Sequence, residues 1–232
     1  MDNIMHEFMT SSFYKELFNE KEIIMIYIGG SRSTDILDNN SDYDIVILTY
    51  DNDYHNVNKY AYILYKNNIK IHWYYDPINE LFNIINHDCI YGCMQIKNLR
   101  DDIVLYKNPK YNDIIDNLIK IKDDLSHISC YKYFNFNKKY IESILIDGYI
   151  KEEKYSKLLY HLCLASYYIT GETPDKDFLR SIKHIKQQAI REEYKGLVIE
   201  RLNIYKKYIE QNPIDIDNIT ENLYKQVLKV NS

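Results

Sequence analysis

The chain has 232 residues, a formal net charge of −5 and 46% hydrophobic residues, enough apolar material for one large or two small cores without metal or disulfide staples. No apolar stretch reaches the length of a membrane span and no basic-then-apolar leader opens the chain, so a soluble cytoplasmic protein is expected. Four scattered cysteines, Cys89, Cys93, Cys130 and Cys163, do not make a disulfide framework. His87 beside Cys89 and Cys93 lacks the second pair that a zinc site needs, so buried free thiols are expected.

In chain order, residues 6–18 place Phe8, Phe13, Tyr14, Leu17 and Phe18 at helical spacing and predict a helix covering a sheet. Residues 23–28 and 45–48 are short apolar runs bounded by turn signals, which predicts two buried strands. Between them lie Gly29-Gly30-Ser31-Arg32 and then, with ten residues between Ser31 and Asp42, Asp42-Tyr43-Asp44. Glycines allow backbone angles and close approach that side chains block, so amides can face a phosphate oxygen, and Ser31 adds a hydroxyl donor. Asp42 and Asp44 share a face on a strand and offer hard oxygen ligands to Mg²⁺ or Mn²⁺, whose shell water and substrate phosphates complete.

Residues 53–66 then predict a helix, and residues 69–75 a strand with Ile69, Ile71 and Trp73 on one face and His72 on the other. Pro77 suits the first turn of a helix reaching residue 86. Residues 89–96 and 103–106 predict short strands or a hairpin-like excursion, and Asn108-Pro109 opens a helix to about residue 125. Beyond Tyr131 only helical spacing survives: residues 138–146, 152–170 ended by Gly171, a helix opened by Thr173-Pro174, then 192–211 and 216–230. The first 130 residues are acidic in balance and the remainder mildly basic, with Lys and Glu interleaved as on solvated helix faces, so no extended nucleic-acid surface is expected.

Gly30-Ser31 followed by Asp42-Tyr43-Asp44 within strand–turn–helix–strand resembles the nucleotidyltransferase superfamily of DNA polymerase beta, and Ser41 with Arg32 resembles its minimal, bacterial and phage branches. Lys157 to His161, Thr170 to Pro174 and Leu179 to Lys183 resemble, more loosely, the predicted nucleotidyltransferases associated with RNA repair. The resemblance implies an α/β (α+β) fold, a mixed-sheet nucleotidyltransferase core over residues 1–130 with an all-helical half over 131–232 packed on it. It implies nucleotide phosphates on Gly29, Gly30, Ser31 and Arg32, and metal on Asp42 and Asp44. Lys157 and His161 share a helix face and would either meet the triphosphate or merely flank a packed Tyr160 and Leu162. His184 between Lys183 and Lys186 reads as a solvated surface.

The superfamily's third acid stands between apolar residues on the strand after the Asp pair, where this chain has His72. Three readings stay open: His72 is a general base, Asp76 reaches the site from further along the strand, or the site binds nucleotide and metal with little catalysis. The expected reaction is transfer of a nucleoside monophosphate, AMP foremost, from an NTP to an acceptor hydroxyl on a protein, a small molecule, a second nucleotide or an RNA end. The alternative is a nucleotide-binding pseudoenzyme acting as sensor, sponge or partner-binding module. No Gly-x-Gly-x-x-Gly, Gly-Lys-Ser/Thr or Gly-x-Ser-x-Gly motif is present, which excludes dehydrogenase, P-loop and serine-hydrolase readings.

Overall fold

The computed structural model describes residues 6, 9–12, 14–15, 22–33, 42–50, 62–66, 69–82, 96–97, 99–147, 156–183 and 192–229. The described residues form a five-stranded mixed sheet and then helices, an α+β architecture. Strands β1 (Ile23–Gly29), β2 (Tyr43–Thr49), β3 (Tyr62–Lys66), β4 (Ile69–Pro77) and β5 (Val104–Lys107) stand in the order β3-β4-β2-β1-β5. β2 is antiparallel to β1 and parallel to β4, and the two edge strands are antiparallel to their neighbours.

β2 is central, so both its faces need apolar cover, and its sequence is a near-continuous hydrophobic run. Tyr43, Ile45 and Ile47 share one face with Ile26, Ile71, Trp73 and Tyr75, against which Met9 and Tyr14 of the N-terminal helical turns pack. Val46 and Leu48 face the other way and are equally buried. Asp44 is the one residue of β2 that is not buried. The partly exposed carboxylate thus sits at the strand's opening end, while Thr49 at the far end is buried.

β1 carries an irregularity between Ile23 and Met25. Asn108, which follows β5, supplies the missing partners: its amide donates to Ile24 O at 3.0 Å and its side chain to Ile23 O at 2.9 Å. The same side chain accepts from the Lys110 amide, capping the 3₁₀ turn Pro109–Tyr111.

Short helices α1 (Gly30–Ser33) and α2 (Ile78–Phe82) follow β1 and β4, and α3 (Asn112–Phe136), α4 (Lys138–Asp147), α5 (Ser156–Thr170), α6 (Lys176–Lys183), α7 (Glu192–Gln211) and α8 (Ile216–Leu228) complete the chain. Two compact units result, Met1–Asp123 with Thr220–Ser232, and Asp124–Ile219. In the first, α8 is tied to α3 by Lys229 on Asp113 at 2.5 Å and by Asn117 donating to Gln226 O. In the second, Gly171 at φ +70° ends α5, with the Glu172 amide closing on Tyr167 O, and Asp175 caps α6 through the Phe178 amide. Arg201, with 9% of its side chain exposed, stacks on the Tyr167 ring at 3.9 Å and pairs with Glu172 at 2.6 Å.

Several expectations need correction. Residues 62–66, assigned to a helix from apolar spacing, form β3: Tyr62, Ile63, Leu64 and Tyr65 are strand formers, and pairing with β4 decides between two periods that so short a run cannot separate. Pro77 ends β4 rather than lying inside the following helix, which begins at Ile78. The helix expected to end near residue 125 continues to Phe136. Ile96, expected in a strand, is helical. Cys130 and Cys163 are buried free thiols, as expected, whereas His87, Cys89, Cys93, His184 and Lys186 lie outside the described residues. Among the described residues no helix is long and apolar enough to cross a membrane.

Removing the fully buried Ile47 side chain from the central strand is expected to cost about 3 kcal/mol, read as a fall in the urea midpoint of Ile47→Ala. In the helical unit, the Arg201 guanidinium holds the Glu172 carboxyl below its ordinary value by donating to it. A lowered carboxyl contributes stability above its unfolded value and loses it as the pH falls through the folded one. Glu172→Ala should therefore melt below wild type at neutral pH, and the gap should close on acidification.

Candidate active site

β1 ends at Gly29, which stands opposite Asp44 on β2, and Asp44 in turn stands opposite His72 on β4. One row across three central strands thus carries a glycine, a carboxylate and an imidazole. The chain leaves β1 through Gly30 at φ +61°. A Cβ there would lie 2.0 Å from Asp44 Oδ2 and 2.9 Å from its Cγ, so both the angle and the contact require glycine. The turn and the carboxylate are built against each other.

Two layers behind the turn fix it. Ser33, buried, donates from its hydroxyl to Gly30 O at 2.8 Å, and Arg100 donates to Ser33 O at 3.0 Å. Arg100 is itself held by Asp102 at 2.7 Å. On the other side Arg32 donates from Nε to Asp42 O at 3.2 Å and lays its guanidinium over the Tyr43 ring at 3.6 Å. Arg32 therefore clamps the opening of β2 to α1, a role beside the phosphate contact expected of it. Ser33 and Arg100 were not singled out from the sequence. Ser33 sits within the motif and could have been; Arg100 lies 67 residues away and carries no local signal.

Asp42 precedes β2 by one residue and is exposed, on the parity that it shares with Asp44. The Asp44 and His72 side chains are 32% and 28% exposed, with Asp44 Oδ1 3.5 Å from His72 Nδ1. Asp76 lies within β4, opposite Leu48, about 13 Å along the strand from His72. It is only 7% exposed, among apolar neighbours of the sheet. The extension of β4 to Pro77 thus places Asp76 at the far end of the strand from Asp44, not beside it. His161 belongs to the helical unit, where its ring meets Tyr160 edge-on at 5.0 Å. The side chains of Ser31 and Lys157 lie outside the described residues.

The donor chemistry fits a divalent cation: one partly exposed carboxylate, a second two residues earlier, and an imidazole nitrogen, at a water-facing end of an otherwise apolar sheet. Among the described residues no group of three or more His, Cys, Asp or Glu closes into a metal cage. Such a site suits an ion that keeps water and ligand phosphates in its shell.

The nucleotidyltransferase domain model matches residues 11–155, a span that contains the whole sheet and the row described above. Among solved structures the chain is similar to a nucleotidyltransferase-like protein from Exiguobacterium sibiricum 255-15, at 13% identity and a TM-score of 0.38, over 93% of this chain and 78% of that one. A search of curated proteins finds no match.

Gly30→Ala is expected to destabilise the chain by the 1–2 kcal/mol of a left-handed alanine, roughly, plus the displacement of Asp44. In an Asp44→Ala background the second part should vanish. A double-mutant cycle in urea checks this; equal costs in both backgrounds would show that the carboxylate does not enforce the glycine.

Proposed function

The chain belongs to the nucleotidyltransferase domain family, and on that premise we propose that it is a metal-dependent transferase moving AMP from ATP to an acceptor hydroxyl, with pyrophosphate as the product. The observation that carries this reading is the packing of the Gly30 turn on the Asp44 carboxylate. That packing brings backbone amides suited to a phosphate beside a carboxylate suited to a divalent cation, which supports a metal–polyphosphate ligand.

The residues divide the work. The backbone of Gly29, Gly30 and Ser31 would offer its amides to a triphosphate, and Ser33 and Arg100 keep that backbone from relaxing. Arg32 holds the opening of β2, and so the spacing of Asp42 and Asp44, through the Asp42 carbonyl. Asp42 and Asp44 would hold Mg²⁺ or Mn²⁺, which when bound neutralises triphosphate charge and favours in-line attack by a hydroxyl. The rigid, buried β1-β2-β4 core keeps these groups from reorganising as charge develops. The interleaved charges of residues 131–232 support a protein or small-molecule acceptor over a long nucleic acid. The helical motifs from Lys157 to Lys183 support placement near the RNA-repair-associated branch.

Pyrophosphate release from each NTP with Mg²⁺ or Mn²⁺, in the presence of cellular protein, small molecules and RNA, tests the proposal. Asp44→Asn, nearly isosteric, should lose at least about 100-fold in rate while its circular dichroism stays that of wild type. Wild-type turnover in that variant would sink the assignment. Metal-dependent nucleotide binding with no release from any NTP would favour the binding-only reading.

A further inference from the structure

Strand register places His72 where it faces Asp44. Asp44 Oδ1 and His72 Nδ1 are 3.5 Å apart. Two ligands of one divalent ion, each bonded at about 2.1 Å, stand about 3.0 Å apart at a right angle and further apart at wider angles. The separation is therefore short enough for one divalent ion to bind both atoms. Both side chains are about one-third exposed, so solvent and a phosphate oxygen can reach the remaining positions.

We infer that His72 is a nitrogen ligand to the same cation as Asp44, and that it turns the site's selectivity from Mg²⁺ toward Mn²⁺. This rests on the metal-dependent reading above. Mg²⁺ is best served by oxygen donors and dehydrates reluctantly, whereas Mn²⁺ accepts carboxylate and imidazole together and stands within the divalent order that nitrogen donors strengthen. The strands on either side hold the two donors rigidly: Ile45 and Ile71, flanking Asp44 and His72 on β2 and β4, are buried at 0% and 1% exposure. His72 thus helps to determine which metal the transferase uses.

The test uses the full chain with Mn²⁺ and inorganic triphosphate, a polyphosphate without nitrogen. Pulsed electron paramagnetic resonance of the bound Mn²⁺ should show coupling to an imidazole nitrogen, and the coupling should change isotope when the histidines are labelled with ¹⁵N. It should disappear in His72→Asp and in His72→Asn, the second variant guarding against a folding defect in the first. Competition titration should give Mn²⁺ an advantage over Mg²⁺ in wild type that falls about tenfold in His72→Asp. Bound Mn²⁺ without nitrogen coupling, or an unchanged Mn²⁺-to-Mg²⁺ ratio in His72→Asp, would overturn the inference and leave the transferase proposal standing. Failure of wild type to bind Mn²⁺ under any of these conditions would remove the metal site itself, and the inference with it.

Discussion

The close approach of Gly30 to the Asp44 carboxylate is the constraint on which the rest of the site depends. Because a Cβ at that point would stand 2.0 Å from Oδ2, the end of β1 and the start of β2 come nearer than any other residue type would permit. The left-handed backbone of Gly30 then turns the chain at once into α1, so that the backbone following β1 and the carboxylate on β2 converge. Ser33, Arg100 and Arg32 are consequences of this geometry. A strained turn on the surface of a sheet persists only when surrounding bonds over-determine it, and here two come from behind and one from the side.

The apolar sheet has a complementary effect. With Ile45, Val46, Ile47 and Leu48 fully buried, a charged side chain in the middle of β2 would meet the full cost of desolvation, and the strand's partly exposed carboxylate stands at the opening end. The same argument bears on Asp76. It shares a face with His72 but lies at the buried end of β4, four residues on, and the parallel register with β2 sets it opposite Leu48. Strand length and register, not residue type, separate the two positions.

An imidazole beside Asp44 changes the electrostatics that the family resemblance led one to expect. A third carboxylate would add negative charge to the two aspartates, whereas a neutral imidazole adds a donor without charge. On the proposed reading, a bound cation would draw its remaining anionic ligands from the polyphosphate, so that metal retention would depend on substrate binding.

Much of this was legible in residues alone because it is local. The spacing from Gly30 through Asp42 to Asp44, the buried runs at 23–28 and 45–48, the stop at Gly171 and the helix over Glu192–Gln211 follow from turn chemistry and side-chain periodicity within a few residues. Residues 62–66 were misjudged because five residues with aromatic and aliphatic side chains satisfy either period until a partner strand chooses. The sequence by itself determined that the Gly29-Gly30 turn and the Asp42–Asp44 pair bracket a connection between two buried strands. Only the tertiary structure decided that β4 pairs with β2 in the register that sets His72 rather than Asp76 against Asp44, and that Arg100 closes on Ser33 across 67 residues. The reason is that strand pairing and long-range hydrogen bonds depend on segments distant in the chain, and a slip of one residue would turn every side chain of β4 to the opposite face.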